Sequence, residues 1–209
     1  NIPIIQFAFD YVEADDLISF VVQLKKYEDW QKIIVSDDKD FYQLLDNKTI
    51  VYRSCQKEIL NKNDIVEKFE IHPINFVVAR SMVGDPSDNL PGVSRLGMKT
   101  VKNRFSFLKE EKFYTLDDII EYCKTADDKY KIFQSVLDEE EKVRMNYKIM
   151  QLGCPMISAI NKNIIREVIS EFAPTFNKTE FKKMMYEDGF GNYDWTNFYQ
   201  NMKRMTLDV

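Results

Sequence analysis

Histidine is almost absent from this 209-residue sequence; His72 is the single one. Chemistry that needs a histidine base therefore has one candidate. His72 precedes Pro73 at the start of a helical pattern, where it reads as structural or solvent-exposed. Cysteine is scarce as well. Cys55, Cys123 and Cys154 are widely spaced and odd in number, which excludes a disulfide framework and zinc-ligand spacing and points to a reducing compartment. No apolar run is long enough to cross a bilayer, and no secretory signal is visible. Low-complexity linkers and internal repeats are missing too. Positive charge is not in excess. The net charge is −5, which argues against a nucleic-acid partner unless the acidity is concentrated at one place.

What is present is enough for a core. Hydrophobic residues make up 44% and charged residues 30%, as in a soluble globular chain of one large domain or two small ones. Ile2–Phe9 is a short Ile- and Phe-rich run and predicts a buried strand. Glu13-Ala14-Asp15-Asp16 opens an amphipathic helix that runs to about Tyr27, with acidic residues in its first turn. Lys32–Val35 predicts a second buried strand, and Phe41–Leu45 a helical turn. Strand, helix, strand is a βαβ unit, so these strands are expected to be parallel. Thr49–Arg53 and Glu58–Leu60 read as weaker strands at a sheet edge. Helices are expected over 63–70, capped by Asn63-Asp64, and over 74–83, with Pro73 in the first turn. After Thr100 nearly everything reads helical: 116–123, 128–137, 139–152, 164–172, 178–186 and 195–205.

Two core strands make a small parallel sheet, which ordinarily needs more strands and helices on both faces. The expectation is an α/β fold whose parallel-sheet core is incomplete at its N-terminus. A mainly helical region with a helix–hairpin–helix follows it. The chain is expected to be a fragment, or to be completed by a second polypeptide. The segments divide as 1–60 (part of the α/β core), 61–106 (hairpin region) and 107–209 (helical region).

Three acidic clusters punctuate these elements: Glu13, Asp15 and Asp16; Asp37, Asp38 and Asp40; Asp85 and Asp88. Ligands of open α/β sheets bind beyond the carboxyl ends of the strands, and parallel strands would bring the first two clusters to one edge. So many carboxylates repel one another unless a hard cation such as Mg²⁺ or Mn²⁺ lies among them. Two such ions ~4 Å apart activate a water and stabilise the leaving oxygen of a phosphodiester, which suits a chain without a histidine base. Asp37 is the odd one out, since Asp38 and Asp40 share a face that it does not. Setting seven carboxylates apart leaves +2 from the net −5, and two divalent cations would bring the whole to −1. Each cluster alone has a plainer reading, as a helix-dipole complement or a turn cap.

The stretch Leu90–Gly97 predicts a hairpin. Gly92 and Gly97 would permit positive φ and close approach of a phosphate, and the helix from Met98 would aim N–H groups at an anion. Arg95, Lys99, Lys102 and Arg104 add charge beside Thr100. Such a grip holds the sugar-phosphate backbone without reading bases. The methionines and aromatics of the last third recur at helical spacing and read as core. The runs 109–112 and 138–142 read as solvated faces. For Tyr193, Trp195, Phe198 and Tyr199 packing is the simplest role.

Tyr11–Asp16, Ser36–Leu45 (SDDKDFYQLL) and Val83–Thr100 (VGDPSDNLPGVSRLGMKT) together resemble the 5′-nuclease family. That family includes the 5′→3′ exonuclease domain of bacterial DNA polymerase I, the flap endonucleases and the bacteriophage 5′-nucleases also called RNase H. The resemblance covers about residues 1–105. It implies a metal-dependent 5′→3′ exonuclease or flap endonuclease that hydrolyses DNA or RNA primers on DNA during replication. Glu13, Asp15 and Asp16 would serve a first metal, and Asp38, Asp40, Asp85 and Asp88 a second, with Mg²⁺ as the ion and Mn²⁺ as a substitute. Gly92, Val93 and Leu96 would lie near a monovalent cation, usually K⁺. Gly92, Arg95, Gly97, Lys99, Thr100 and Lys102 would hold duplex DNA. Expected partners are a duplex with a 5′ flap, nick or RNA primer and a single-stranded DNA-binding protein, with no membrane. The expected place is the cytoplasm of a bacterium or a phage-infected host. The family's opening strand ending in Asp-Gly, and its basic helical arch, have no counterpart here. The competing functions are an inactive or incomplete helix–hairpin–helix DNA-binding protein and an α/β phosphohydrolase of small phosphates.

Overall fold

The structure is a computed structural model that describes residues 2–126, 130–191 and 194–207. Its backbone separates into two compact units, residues 13–156 and residues 1–12 with 157–209.

The larger unit opens with α1 (Ala14–Val22), which buries Leu17, Ser19 and Phe20. It stops earlier than its apolar pattern, because Leu24 turns extended before a 3₁₀ turn over Lys25–Tyr27. β1 (Lys32–Val35) runs parallel to β2 (Thr49–Arg53), and β3 (Glu58–Leu60) returns antiparallel to β2. Parallel neighbours need a crossover, and the segment carrying the 3₁₀ turn Asp40–Leu44 supplies it. Then come α2 (Lys62–Phe69), α3 (Phe76–Val83), the two-residue strands β4 (Gly84–Asp85) and β5 (Leu90–Pro91), and α4 (Met98–Arg104). The unit continues through α5 (Leu116–Thr125), α6 (Lys131–Asp138) and α7 (Glu140–Met150). The predicted start of α6 at residue 128 lies outside the described residues.

Strand side chains alternate between faces, and that alternation decides what is buried. Ile34, Val51 and Leu60 point into one core with Phe41, Tyr42 and Phe76. Ile33, Val35 and Ile59 point the other way and are 59, 64 and 61% exposed. The reading of Lys32–Val35 as a buried strand is therefore corrected: only the Ile34 face is covered. α3 is the most deeply buried helix of this unit, with every residue but Val83 inside, and it packs along α7. The cap of α2 is Asn61, in a reciprocal capping box with Asp64, rather than Asn63-Asp64. His72 is structural: it is buried, and its Nδ1 accepts the Ile74 N–H at 3.3 Å, capping the turn that leads into α3. Burial holds its pKa below the usual histidine value.

The smaller unit contains the chain start with α8 (Ala159–Glu171), α9 (Lys178–Glu187) and α10 (Thr196–Leu207). Ile2–Phe9 pairs with no strand among the described residues, so the expected strand is corrected, and the parallel pair is β1 with β2. An apolar run becomes a strand only where a neighbour's N–H and C=O groups meet its own. Here the run alternates in exposure, and Phe7 stacks on Phe9 at 6.2 Å. Phe181 gathers Trp195 at 5.3 Å and Phe198 at 4.7 Å, so the aromatic tail packs as expected; Tyr193 lies outside the described residues. No helix among the described residues is long and apolar enough to cross a membrane.

Candidate metal centre and hairpin

The acidic clusters come from three local structures. Glu13 is the N-cap residue of α1 but makes no side-chain cap, so its carboxylate is not spent on the helix end. Asp15 and Asp16 occupy the first turn. Asp16 Oδ1 accepts the Met156 N–H at 2.9 Å, which ties α1 to the end of the unit. Asp38 sits just beyond β1, where its Oδ1 accepts the Asp40 N–H at 2.8 Å. That tight turn aims Asp40 inward at the start of the 3₁₀ turn. Asp37 points elsewhere: its Oδ2 accepts the Ser54 hydroxyl at 3.0 Å and the Cys55 N–H at 3.2 Å, pinning the β2–β3 turn. Asp85 closes β4 and accepts both the N–H and the hydroxyl of Ser87. Asp88 is exposed in the β4–β5 turn.

Electrostatics links these groups. Burial, then the charges of Asp38, Glu13, Asp16 and Asp88, push Asp15 above the usual carboxylate range. Burial pushes Asp40 up to about 6, with repulsion from Asp38 and Asp85 added and Arg80 opposing. All seven carboxylates thus enter one repulsive field, through Asp15 on one side and Asp40 on the other. Among the described residues no three acidic, histidine or cysteine groups converge closely enough to enclose one ion.

Arg80 explains part of that spacing, and it was not singled out in the sequence. It lies in the middle of α3 and is only 8% exposed. Its Nε donates to Asp40 Oδ1 at 3.2 Å, and its Nη2 donates to Asp85 Oδ2. One buried guanidinium therefore bridges the second and third clusters. Burial works to raise Asp85, but hydrogen bonds from Ser87 and Arg80 outweigh it and hold Asp85 below the usual range. The available signal was an arginine inside the apolar run FVVARSMV, since buried charges are rare without a buried partner.

The hairpin uses its glycines differently from the sequence reading. Positive φ falls on Gly84, Asn89 and Arg95, not on Gly92 or Gly97. Gly92 is needed for packing: a Cβ there would lie 1.9 Å from the Val83 carbonyl oxygen. Gly97 precedes α4 in extended conformation, with open space where a Cβ would be. Val93 and Leu96 are buried beneath the turn. Arg95 and Lys99 are exposed, and Thr100 donates its N–H to the Gly97 carbonyl at 2.8 Å. Lys102 is engaged with Glu70 at 2.6 Å, and Arg104 lies 3.6 Å from the Tyr130 ring centre.

Comparison with known proteins gives concordant likenesses. Residues 1–70 match the family described as the 5′-3′ exonuclease, N-terminal resolvase-like domain. A 5′-3′ exonuclease of Buchnera aphidicola is 37% identical over 47% of this chain and 35% of its own length. A 5′-3′ exonuclease of Aquifex aeolicus is 25% identical over 84% of this chain and 58% of its own length. The chain thus spans between a third and three fifths of these relatives. Among solved structures, a bacteriophage T5 flap endonuclease in a pseudo-enzyme-product complex with DNA and metal ions superposes with a TM-score of 0.62. It is 23% identical, over 79% of this chain and 59% of its own, and shares the mixed α/β fold with its small sheet and many helices. The domain match over residues 1–70, the sequence likeness along most of the chain and the common fold all point to a resemblance with the 5′-nuclease family.

Proposed function

We propose that the chain is the acidic core and DNA grip of a structure-specific 5′-nuclease, a 5′→3′ exonuclease or flap endonuclease acting on DNA or on RNA primers. The observation that carries this reading is geometric: Asp38 holds the turn that presents Asp40, and the buried Arg80 guanidinium joins Asp40 to Asp85, while burial and the charges of Asp38 and Asp88 push Asp15 up. Capping or turn formation does not require three clusters from separate elements to repel one another.

Glu13, Asp15, Asp16, Asp38, Asp40, Asp85 and Asp88 are the groups that would hold two divalent ions. Their donors suit Mg²⁺, with Mn²⁺ as a substitute: all are hard carboxylate oxygens, and their mutual repulsion is what a cation relieves. When bound, such ions neutralise charge on a phosphodiester and lower the pKa of water. The chain's own residues do the rest. Arg80 holds Asp40 and Asp85 in register. Asp38 fixes the turn that presents Asp40. Gly92, Arg95, Gly97, Lys99, Thr100 and Lys102 would lie along duplex backbone in a helix–hairpin–helix, gripping without reading bases. At the hairpin the Gly92 carbonyl faces Lys142 Nζ at 3.4 Å, so a cation is already present there without K⁺.

A 5′-flapped or nicked duplex is the proposed substrate, and removal of replication primers in the cytoplasm, beside a single-stranded DNA-binding protein, is the proposed setting. The test is Mg²⁺-dependent release of short 5′ products from a flapped duplex, compared with Asp38→Ala. Loss of the products in that variant is expected, by on the order of a thousandfold in rate. Unchanged cleavage refutes the site. Duplex binding without cleavage in Mg²⁺ or Mn²⁺ would favour the binding-protein reading instead.

A further inference from the structure

Three residues on one face of α7 and its N-terminal cap touch the backbone of the hairpin in order. Glu139 Oε1 accepts the Ser94 N–H at 2.9 Å. One turn on, Lys142 Nζ lies 3.4 Å from the Gly92 carbonyl and also pairs with Glu139. One further turn on, the Asn146 amide donates to the carbonyls of Pro91 and Ser81, each at 3.0 Å. The spacing of three and then four residues keeps all three on one helical face, while the hairpin runs past in the opposite direction. Asn146 is buried. Glu139 and Lys142 keep side-chain exposures of 20 and 35%, so this run is not the purely solvated face its charge pattern implies.

We propose that Glu139, Lys142 and Asn146 are positioning residues for the DNA-gripping hairpin, and that the Lys142 ammonium supplies the positive charge at the Gly92 carbonyl. The charge at that carbonyl is then covalently part of the chain. A hairpin splinted in this way has one N–H and two carbonyls met by side chains of α7 and its cap, and Asn146 ties it to the Ser81 carbonyl of α3, so its exposed Arg95 and Lys99 are presented from a fixed frame. Resident K⁺ has no separate role at Gly92 as long as Lys142 is there. The consequence for duplex binding rests on the nuclease reading; the splint itself does not.

Two measurements on the full chain test the proposal. The first uses no DNA. Amide hydrogen exchange at Ser94 is expected to be about tenfold faster in Glu139→Ala, while Glu139→Gln, which still offers an acceptor oxygen, keeps it near wild type. Unchanged exchange in Glu139→Ala overturns the splint. The second is affinity for a flapped duplex in EDTA, compared in potassium and choline chloride at equal ionic strength. The wild type is expected to bind equally in both. Lys142→Met is expected to bind about tenfold more weakly in choline and to recover in potassium. Wild-type binding that rises more than about threefold with potassium, or a Lys142→Met variant that binds like wild type in choline, refutes the role of the ammonium. If the wild type binds duplex in neither salt, the nuclease reading fails, and Ser94 exchange still decides the splint.

Discussion

Replacing Arg80 by methionine keeps most of the side-chain length in α3 and removes the one charge that Asp40 and Asp85 share. Its size follows from the environment. A carboxyl held at about 6 against an ordinary 3.8 is already about 3 kcal/mol harder to ionise in the fold, even with Arg80 beside it. Taking the guanidinium away leaves two largely buried carboxylates uncompensated, a loss of about 3–5 kcal/mol at about pH 8. The pH dependence has a definite sign. Asp40 is raised, so its penalty builds as pH climbs from its ordinary value through about 6 and is absent in acid. Asp85 is lowered, so its contribution is present above its ordinary value and fades only as pH falls below it. At about pH 5 the variant can protonate Asp40 in place of the lost partner, and the difference from wild type is expected to shrink to about 2 kcal/mol. Urea unfolding followed by circular dichroism in EDTA at the two pH values measures this. Millimolar Mg²⁺ at about pH 8 is expected to raise the variant's midpoint more than the wild type's, since two carboxylates have become available to a cation. A loss below about 1 kcal/mol at about pH 8, or one that grows on acidification, refutes the bridging role assigned to Arg80.

Gly92→Ala drives a Cβ into the Val83 carbonyl and is expected to destabilise the larger unit by about 2–4 kcal/mol, read as a lower urea midpoint. Asp37→Asn is expected to leave flap cleavage unchanged where Asp38→Ala abolishes it, because Asp37 serves the β2–β3 turn; equal losses in a cleavage assay would place both at the site. Burial pushes the Cys123 thiol up to about 12, so a thiol reagent at neutral pH is expected to titrate the exposed Cys55 and Cys154 in the folded chain, Cys55 slowed because the hydrogen bond and charge of Asp37 raise its pKa, and Cys123 only after unfolding.

Much of the candidate metal centre was legible because carboxylates are unusual at those positions. A D-x-D directly after a strand, and two aspartates before a Pro-Gly turn, are expensive to bring together unless something positive lies among them. Asp37 could be set aside from strand alternation alone. His72 could be discounted from the proline behind it, and the helices after Thr100 from their periodicity. These are local properties, carried by neighbours a few residues apart.

Contacts between distant residues decided the rest. Ile2–Phe9 has a strand's composition, but only a paired neighbour makes a ladder, and none meets it among the described residues. Lys32–Val35 reads as a buried strand, yet one covered face is enough for Ile34 and leaves Ile33 and Val35 outside. Gly92 was expected to need positive φ and instead needs to be glycine to make room for the carbonyl of Val83, nine residues earlier in the chain. Arg80 gained its meaning when α3 brought it to Asp40, forty residues away in sequence. The carboxylates, the turn residues and the helical periods were set by the order of amino acids. Which charges face one another, and what holds the hairpin, were set by packing α3 between the acidic loops and α7, because Coulomb and hydrogen-bond energies depend on distance in space and not along the chain.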